Sequence, residues 1–182
     1  MVKRIYFISV LLISLILISA CAQGNGEAIL MVTDHKPEID GKALVQEYSL
    51  TVDMDKMKAS FSRDQEFFYF AISGQTTGWI AIGFGSGSMD NSQIIIAYVI
   101  EGNVFLKQEL GKDHSHSATT SNLLFDYIVE EEAGQTIIEG VIQVDKLLSA
   151  DDKELQVIAA FGAEDNFDSY HQFRKGCILI VN

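Results

Sequence analysis

The feature that most constrains the fold is an alternation of apolar and polar residues with a period of two, repeated in short segments along most of the chain. Each segment is rich in β-branched and aromatic residues and is bounded by Gly, Asn, Asp or Ser, which is typical of strands separated by turns. Only residues 144–151 (VDKLLSAD) favour one or two helical turns. The predicted strands are 29–33, 48–54, 58–62, 66–73, 79–84, 94–100, 104–109, 124–130, 136–144, 155–161 and 177–181. About ten or eleven strands at this spacing predict an all-β, antiparallel, immunoglobulin-like sandwich.

The N-terminus has the pattern of an export signal. Lys3 and Arg4 precede an almost wholly apolar run over residues 5–20, which is shorter than the roughly 20 residues of a spanning helix. The run ends in Ile-Ser-Ala-Cys at residues 18–21, which resembles the lipobox of bacterial lipoproteins. We therefore expect a signal peptide at 1–20, a lipid on Cys21, a polar tether at 21–26 and one β-domain at 27–182. The alternative is an ordinary signal peptide with a chance cysteine at the cleavage point.

Cysteine and charge counts restrict both the stability and the partners of this chain. Cys177 is the only other cysteine, so acylation of Cys21 rules out an intramolecular disulfide and leaves stability to the core. Removal of Lys3 and Arg4 with the signal leaves 11 basic and 25 acidic residues, a net charge of −14. This charge excludes nucleic acid as an expected partner and favours a protein with a basic surface. We expect the domain outside the cytoplasm, lipid-anchored in the cell envelope, in the periplasm or at the cell surface.

Met89 is an unusual residue in its loop. It lies among glycines, serines and acids at residues 83–92 (GFGSGSMDNS). Glycines allow close approach of the backbone to a flat ligand, and a thioether is a soft, neutral donor for haem iron or Cu(I). The alternative is a methionine that fills a gap at the open end of the sandwich.

His171 lies in the polar segment before the last predicted strand, residues 165–176 (DNFDSYHQFRKG). Phe167, Tyr170 and Phe173 are close to it in sequence, and an apolar slot formed by them would favour the neutral imidazole that ligates haem iron. The alternative is a histidine with no ligand.

Together and in this order, these segments resemble the DOMON family over nearly the whole mature chain. The residues that carry the resemblance are GWIAIGF at 78–84, Met89 after its Gly/Ser loop, the strand at 94–100, and Tyr170, His171, Arg174 and Gly176 before 178–181. Some members of that family bind a b-type haem through a Met of this loop and a His shortly before the last strand. Met89 and His171 are at those two places.

The resemblance implies a haem b held without covalent attachment, with Met89 and His171 as axial ligands, in a protein that transfers one electron. Trp79, Phe84, Phe161 and Tyr170 are candidates to line the pocket. The family also has members without haem, and its relatives include sugar-binding modules. The rival hypothesis is a non-redox carbohydrate or small-ligand module in which Trp79 stacks on the ligand, and a third is a ligand-free adhesion domain.

Other candidate residues carry weaker signals. His114 and His116 are two apart and would face the same way in an extended segment, as a metal site requires. Two ligands do not make a closed site, so a solvated loop is the preferred interpretation, and His35 is also in a predicted loop. Met54 and Met57 could add thioethers to a copper site with these histidines. The sequence lacks HExxH, GxSxG and CxxCH motifs, so we expect no catalytic residues and no enzyme activity.

Overall fold

Two β-sheets pack face to face in the computed structural model, which describes residues 27–113 and 115–181. The predicted signal peptide, Cys21, the tether and His114 lie outside the described residues. The predicted all-β sandwich is confirmed. Every strand pair is antiparallel except the pair formed by the first and last strands, which is parallel.

The strands are numbered in chain order. The seven-stranded sheet contains, from edge to edge, β1 (Glu27–Leu30), β12 (Phe173–Val181), β11 (Glu154–Phe161), β5 (Ile80–Phe84), β6 (Gln93–Ile100), β7 (Asn103–Lys112) and β8 (Ser115–Ala118). The five-stranded sheet contains β2 (Leu50–Asp53), β3 (Met57–Arg63), β4 (Phe67–Gly74), β10 (Gln135–Gln143) and β9 (Leu124–Glu132). A 3-10 turn, Val45–Glu47, precedes β2, and α1, Val144–Leu147, is the single helical turn that the sequence favours.

The main core lies between the two sheets. Successive side chains of a strand point to opposite faces, so Ile80, Ile82 and Phe84 of β5 all face the five-stranded sheet and are fully buried. The Phe84 ring packs edge-on against Phe68 and Phe70, with ring centroids 5.7 and 5.4 Å apart. Because all the larger residues of β5 face inward, its opposite face carries only small side chains.

Strand β8 is absent from the sequence prediction. Residues 111–120 read as a polar loop, yet Ser115–Ala118 pair with β7 at the edge of the seven-stranded sheet. An edge strand whose two faces are mostly exposed does not need alternating apolar residues. The period of two that predicts the other strands is therefore missing from this segment. Among the described residues, no helix is both long enough and apolar enough to cross a bilayer.

A buried carboxylate fastens the segment before β2 to the five-stranded sheet. Glu139 of β10 has no solvent exposure, and its two oxygens accept hydrogen bonds from the Asp40 and Gly41 amides, at 3.1 and 2.6 Å, and from the Tyr48 hydroxyl, at 2.6 Å. Burial, reinforced by the hydrogen bond to Glu139, raises the pKa of Tyr48, so the phenol remains a donor. Glu139 thus satisfies three donors that would otherwise be buried without a partner.

Candidate functional site

A second apolar cluster lies on the outer face of the seven-stranded sheet, the face turned away from the five-stranded sheet. We call it the outer-face cluster, and its members are Trp79, Ala81, Ile94, Ile96 and Tyr98. All five residues are buried although no other sheet covers them. Two loops cover the cluster instead, residues 85–92 after β5 and residues 162–172 after β11, through the side chains of Met89 and Phe167.

Met89 is placed by a close backbone contact with β7. The Gly111 amide donates to the Ser92 carbonyl at 2.9 Å, and the Asn91 amide donates to the Gly111 carbonyl at 3.0 Å. A Cβ built on Gly111 would lie 1.8 Å from the carbonyl oxygen of Met89 and 3.1 Å from the Cγ of the Met89 side chain. Glycine at 111 therefore allows the loop to rest directly on the strand, with the partly buried thioether side chain against the outer-face cluster.

The loop that carries His171 is fixed at several points. The Phe167 ring lies 4.6 Å from the Tyr98 ring and 4.4 Å from the Lys107 ammonium. The Trp79 indole donates to the Ser169 hydroxyl at 2.8 Å, and a Cβ on Gly162 would lie 2.2 Å from the indole nitrogen. Sequence reasoning missed Ser169 and Gly162, because neither stands out by residue type.

His171 is half-buried and stacks on the ring of Tyr170, with centroids 4.3 Å apart. Burial, with a smaller contribution from the Arg174 guanidinium, lowers the pKa of His171 below its ordinary value. The neutral imidazole, which is the form that ligates a metal, is therefore favoured at neutral pH. Tyr170 itself is 84% exposed and covers one side of the imidazole.

Met89 and His171 belong to loops that cover the same sheet face from opposite ends of β5. The His171 loop contacts Trp79, just before β5, and the Met89 loop begins directly after Phe84. Four residue steps of a strand separate these ends by about 13 Å. Met89 from one loop and Phe167 from the other both pack against the outer-face cluster, whereas the ring contact of His171 is with Tyr170.

Phe84 and Phe161 do not line this region. Phe84 packs in the main core, and Phe161 stacks on Phe173 with centroids 5.7 Å apart, also on the inner side of the sheet. Of the four predicted lining residues, Trp79 joins the outer-face cluster and Tyr170 contacts His171. Alternation along a strand does not show which face of the sheet a ligand would use. The sequence therefore could not distinguish Trp79 and Tyr170 from Phe84 and Phe161.

The environment of Trp79 does not suit the carbohydrate hypothesis. Its side chain is buried, and its indole nitrogen is engaged by Ser169, so the ring face is not presented to an external sugar. Met54 and Met57 are also fully buried in the main core, away from His116 on the outer face. Within the described part of the chain, no three His, Cys, Asp or Glu side chains come together as ligands of one metal ion.

The outer face offers an apolar surface and two donors that suit an iron-bearing group. Its outward positions include the small residues Ala81 and Gly83 on β5, Ala160 on β11 and Gly176 on β12. Ile158 of β11 lies between the two glycines, with its Cγ1 2.9 Å from the position of a Cβ on Gly83. Small side chains allow a flat group to approach the sheet backbone. A neutral thioether and a neutral imidazole are a ligand pair that haem iron accepts.

The comparisons with known proteins agree with this fold. The DOMON domain model matches residues 53–158. The cytochrome domain of Myriococcum thermophilum cellobiose dehydrogenase is 13% identical, with a TM-score of 0.55 over 72% of this chain and 81% of that chain. The cytochrome b domain of pyranose dehydrogenase from Coprinopsis cinerea is 12% identical, with a TM-score of 0.50 over 68% of this chain and 76% of that chain.

A family 9 carbohydrate-binding module from Caldicellulosiruptor kristjanssonii, in complex with glucose, is 11% identical, with a TM-score of 0.47 over 85% of this chain and 96% of that chain. The comparison with curated proteins gives no match. At these identities, the two cytochrome domains establish a shared β-sandwich fold and no more.

Proposed function

This chain belongs to the DOMON family, and we propose that it is an extracytoplasmic, haem b-binding domain that transfers single electrons. The observation that supports the proposal is that the loops of Met89 and His171 cover one apolar sheet face, to which the central strand β5 presents only Ala81 and Gly83. Structural similarity to two cytochrome domains is consistent with it. Bound haem b would supply an iron that gains and loses one electron.

In this proposal, Met89 and His171 would be the two side chains that hold the haem iron. The thioether is neutral at every pH, and the lowered pKa of His171 favours the neutral imidazole, which has one ring nitrogen without a proton. Two protein ligands leave no iron position open to a substrate, which favours electron transfer over catalysis. A Met/His pair also raises the reduction potential relative to two stronger donors.

Other residues of the face would position these ligands and exclude water. Trp79 holds the His171 loop through its hydrogen bond to Ser169, so it acts as a positioning residue. Phe167 and Tyr98 supply aromatic surface above the sheet. A dry, apolar surrounding favours the less charged, ferrous state of an iron centre.

We further propose that a lipid on Cys21 anchors the domain to a membrane of the cell envelope. Five residues separate this cysteine from β1, so six residue steps of about 3.3–3.6 Å would keep the domain within about 20 Å of the lipid. The redox partner is expected to present a basic surface to the acidic domain. Radiolabelled palmitate is expected to enter the wild-type chain but not Cys21→Ala, and equal labelling of both would refute the anchor.

The test of haem binding is a reduced-minus-oxidised spectrum of the full chain, produced with haem supplied and extracted in detergent. We expect a sharp ferrous α-band in the wild type, because two protein side chains would ligate the iron. Met89→Ala and His171→Ala are each expected to lose or shift that band while the far-ultraviolet circular dichroism stays that of a β-sandwich.

Met31→Ala and His35→Ala are matched controls, because both residues are exposed and distant in sequence from the two loops. Their spectra should equal that of the wild type. A wild type without an α-band, or a band that neither ligand variant changes, would rule out the proposed ligation.

A further inference from the structure

His116 lies on the outer face, in the strand that the sequence analysis read as a loop. In the ladder between β7 and β8, His116 is opposite Gly111, and Ala118 is opposite Glu109. Directly opposed residues point to the same face of a sheet, and Glu109 is opposite Ile94 of the outer-face cluster. His116 and Glu109 are therefore both on the face that carries Met89.

The imidazole of His116 is oriented by a buried carboxylate. Its Nδ1 forms a hydrogen bond with the carboxylate of Glu109, whose side chain is only 8% exposed. Because Nδ1 is engaged by Glu109, Nε2 is the ring nitrogen that remains to bind an ion. A metal-ligating histidine is typically held in this way, with its second ring nitrogen hydrogen-bonded to a carboxylate.

The Met89 side chain and His116 both lie beside Gly111. The Met89 side chain lies over Gly111, with its Cγ 3.1 Å from the position of a Cβ there. Gly111 and His116 are directly opposed, and the Cβ positions of such pairs are about 4.5–5.5 Å apart. Both side chains are long enough to bring sulfur and nitrogen to one ion above Gly111.

We propose that Met89 and His116, with Glu109 orienting the imidazole, form a binding site for a soft monovalent cation, namely Cu(I). Thioether sulfur selects Cu(I) over harder divalent ions, and imidazole is a suitable second ligand. This site does not depend on haem, since it uses His116 where the proposed haem site uses His171. Because Met89 belongs to both proposed sites, its sulfur can bind either Cu(I) or the haem iron, but not both at once.

The test is the Cu(I) affinity of the purified full chain before haem is added, measured without oxygen by competition with the coloured chelator bicinchoninate. We expect one Cu(I) per wild-type chain. Met89→Leu and His116→Ala are each expected to weaken binding more than tenfold, and Glu109→Gln by roughly 10–100-fold, as for other residues that orient metal ligands. His171→Ala and Met31→Leu should bind as the wild type does.

Wild-type affinity in His116→Ala would overturn the proposal, as would loss of binding in His171→Ala or preference for Zn(II) over Cu(I). Silver(I), a soft cation of fixed charge, gives a check that needs no variant. One equivalent should shift the NMR signals of the His116 ring and the Met89 methyl together, and unmoved signals would also overturn the site. The α-band of the haem-loaded His116→Ala chain tests the haem proposal separately, because that variant retains Met89 and His171.

Discussion

Replacing Gly111 with alanine is expected to displace Met89 and to remove its thioether from both proposed sites. The new Cβ would lie 1.8 Å from the Met89 carbonyl oxygen, and a backbone atom cannot rotate away as a side chain can. The loop over residues 85–92 must then lift from β7. We expect a loss of about 2–3 kcal/mol in the free energy of unfolding, measured by urea denaturation.

A change in the haem absorption spectrum should accompany the loss of stability in Gly111→Ala. Gly111→Ala is expected to show the altered α-band and the weakened Cu(I) binding of the Met89 variants, although both ligands are unchanged. Lys112→Ala is the matched control, because Lys112 is the next residue of β7 after Gly111 and is exposed. If Gly111→Ala is as stable as this control, the contact between loop and strand does not place Met89.

Replacing Glu139 with alanine is expected to destabilise the domain by about 3–5 kcal/mol. The Asp40 amide, the Gly41 amide and the Tyr48 hydroxyl would lose their acceptor inside a buried region. Each buried donor without a partner is unfavourable by about 1–3 kcal/mol. The measurement is again urea unfolding, with the slope of the transition compared with that of the wild type.

Two further variants test how much of this loss of stability comes from one hydrogen bond and whether removal of any carboxylate has the same effect. Tyr48→Phe removes one hydrogen bond and is expected to lower stability by about 1–2 kcal/mol. Glu132→Ala removes a carboxylate at an exposed position of β9 and should change stability by less than about 0.5 kcal/mol. A Glu139→Ala chain that is as stable as Glu132→Ala would show that the carboxylate does not hold the segment before β2.

The fold class follows from features that are local in sequence. The strand in residues 79–84 alternates large and small residues because one of its faces packs in the core. The strand is followed by Gly85, whose φ of 95° is a backbone conformation that glycine adopts readily. Edge strand β8 lacks this alternation of residue types because neither of its faces is fully buried. Its prediction as a loop was wrong for this reason.

The candidate site was predicted only in its most distinctive residues. Met89 and His171 stand out because a thioether and an imidazole are rare in polar loops, and their role as iron ligands remains a proposal. Phe84 and Phe161 are aromatic, as Trp79 and Tyr170 are, yet they face the main core. Glu139 reads as one acidic residue in an apolar strand, and its partners lie about a hundred residues earlier in the chain.

By itself, the sequence determined that this chain forms a β-sandwich and which residues have side chains able to ligate iron or copper. Periodicity and residue chemistry are local properties, so they can be read without coordinates. Only the tertiary structure decided that Met89 lies on Gly111, that His116 is paired with Glu109, and that both loops cover one outer face. Those relations depend on strand order and register, which arise when segments distant in sequence bury their apolar faces together.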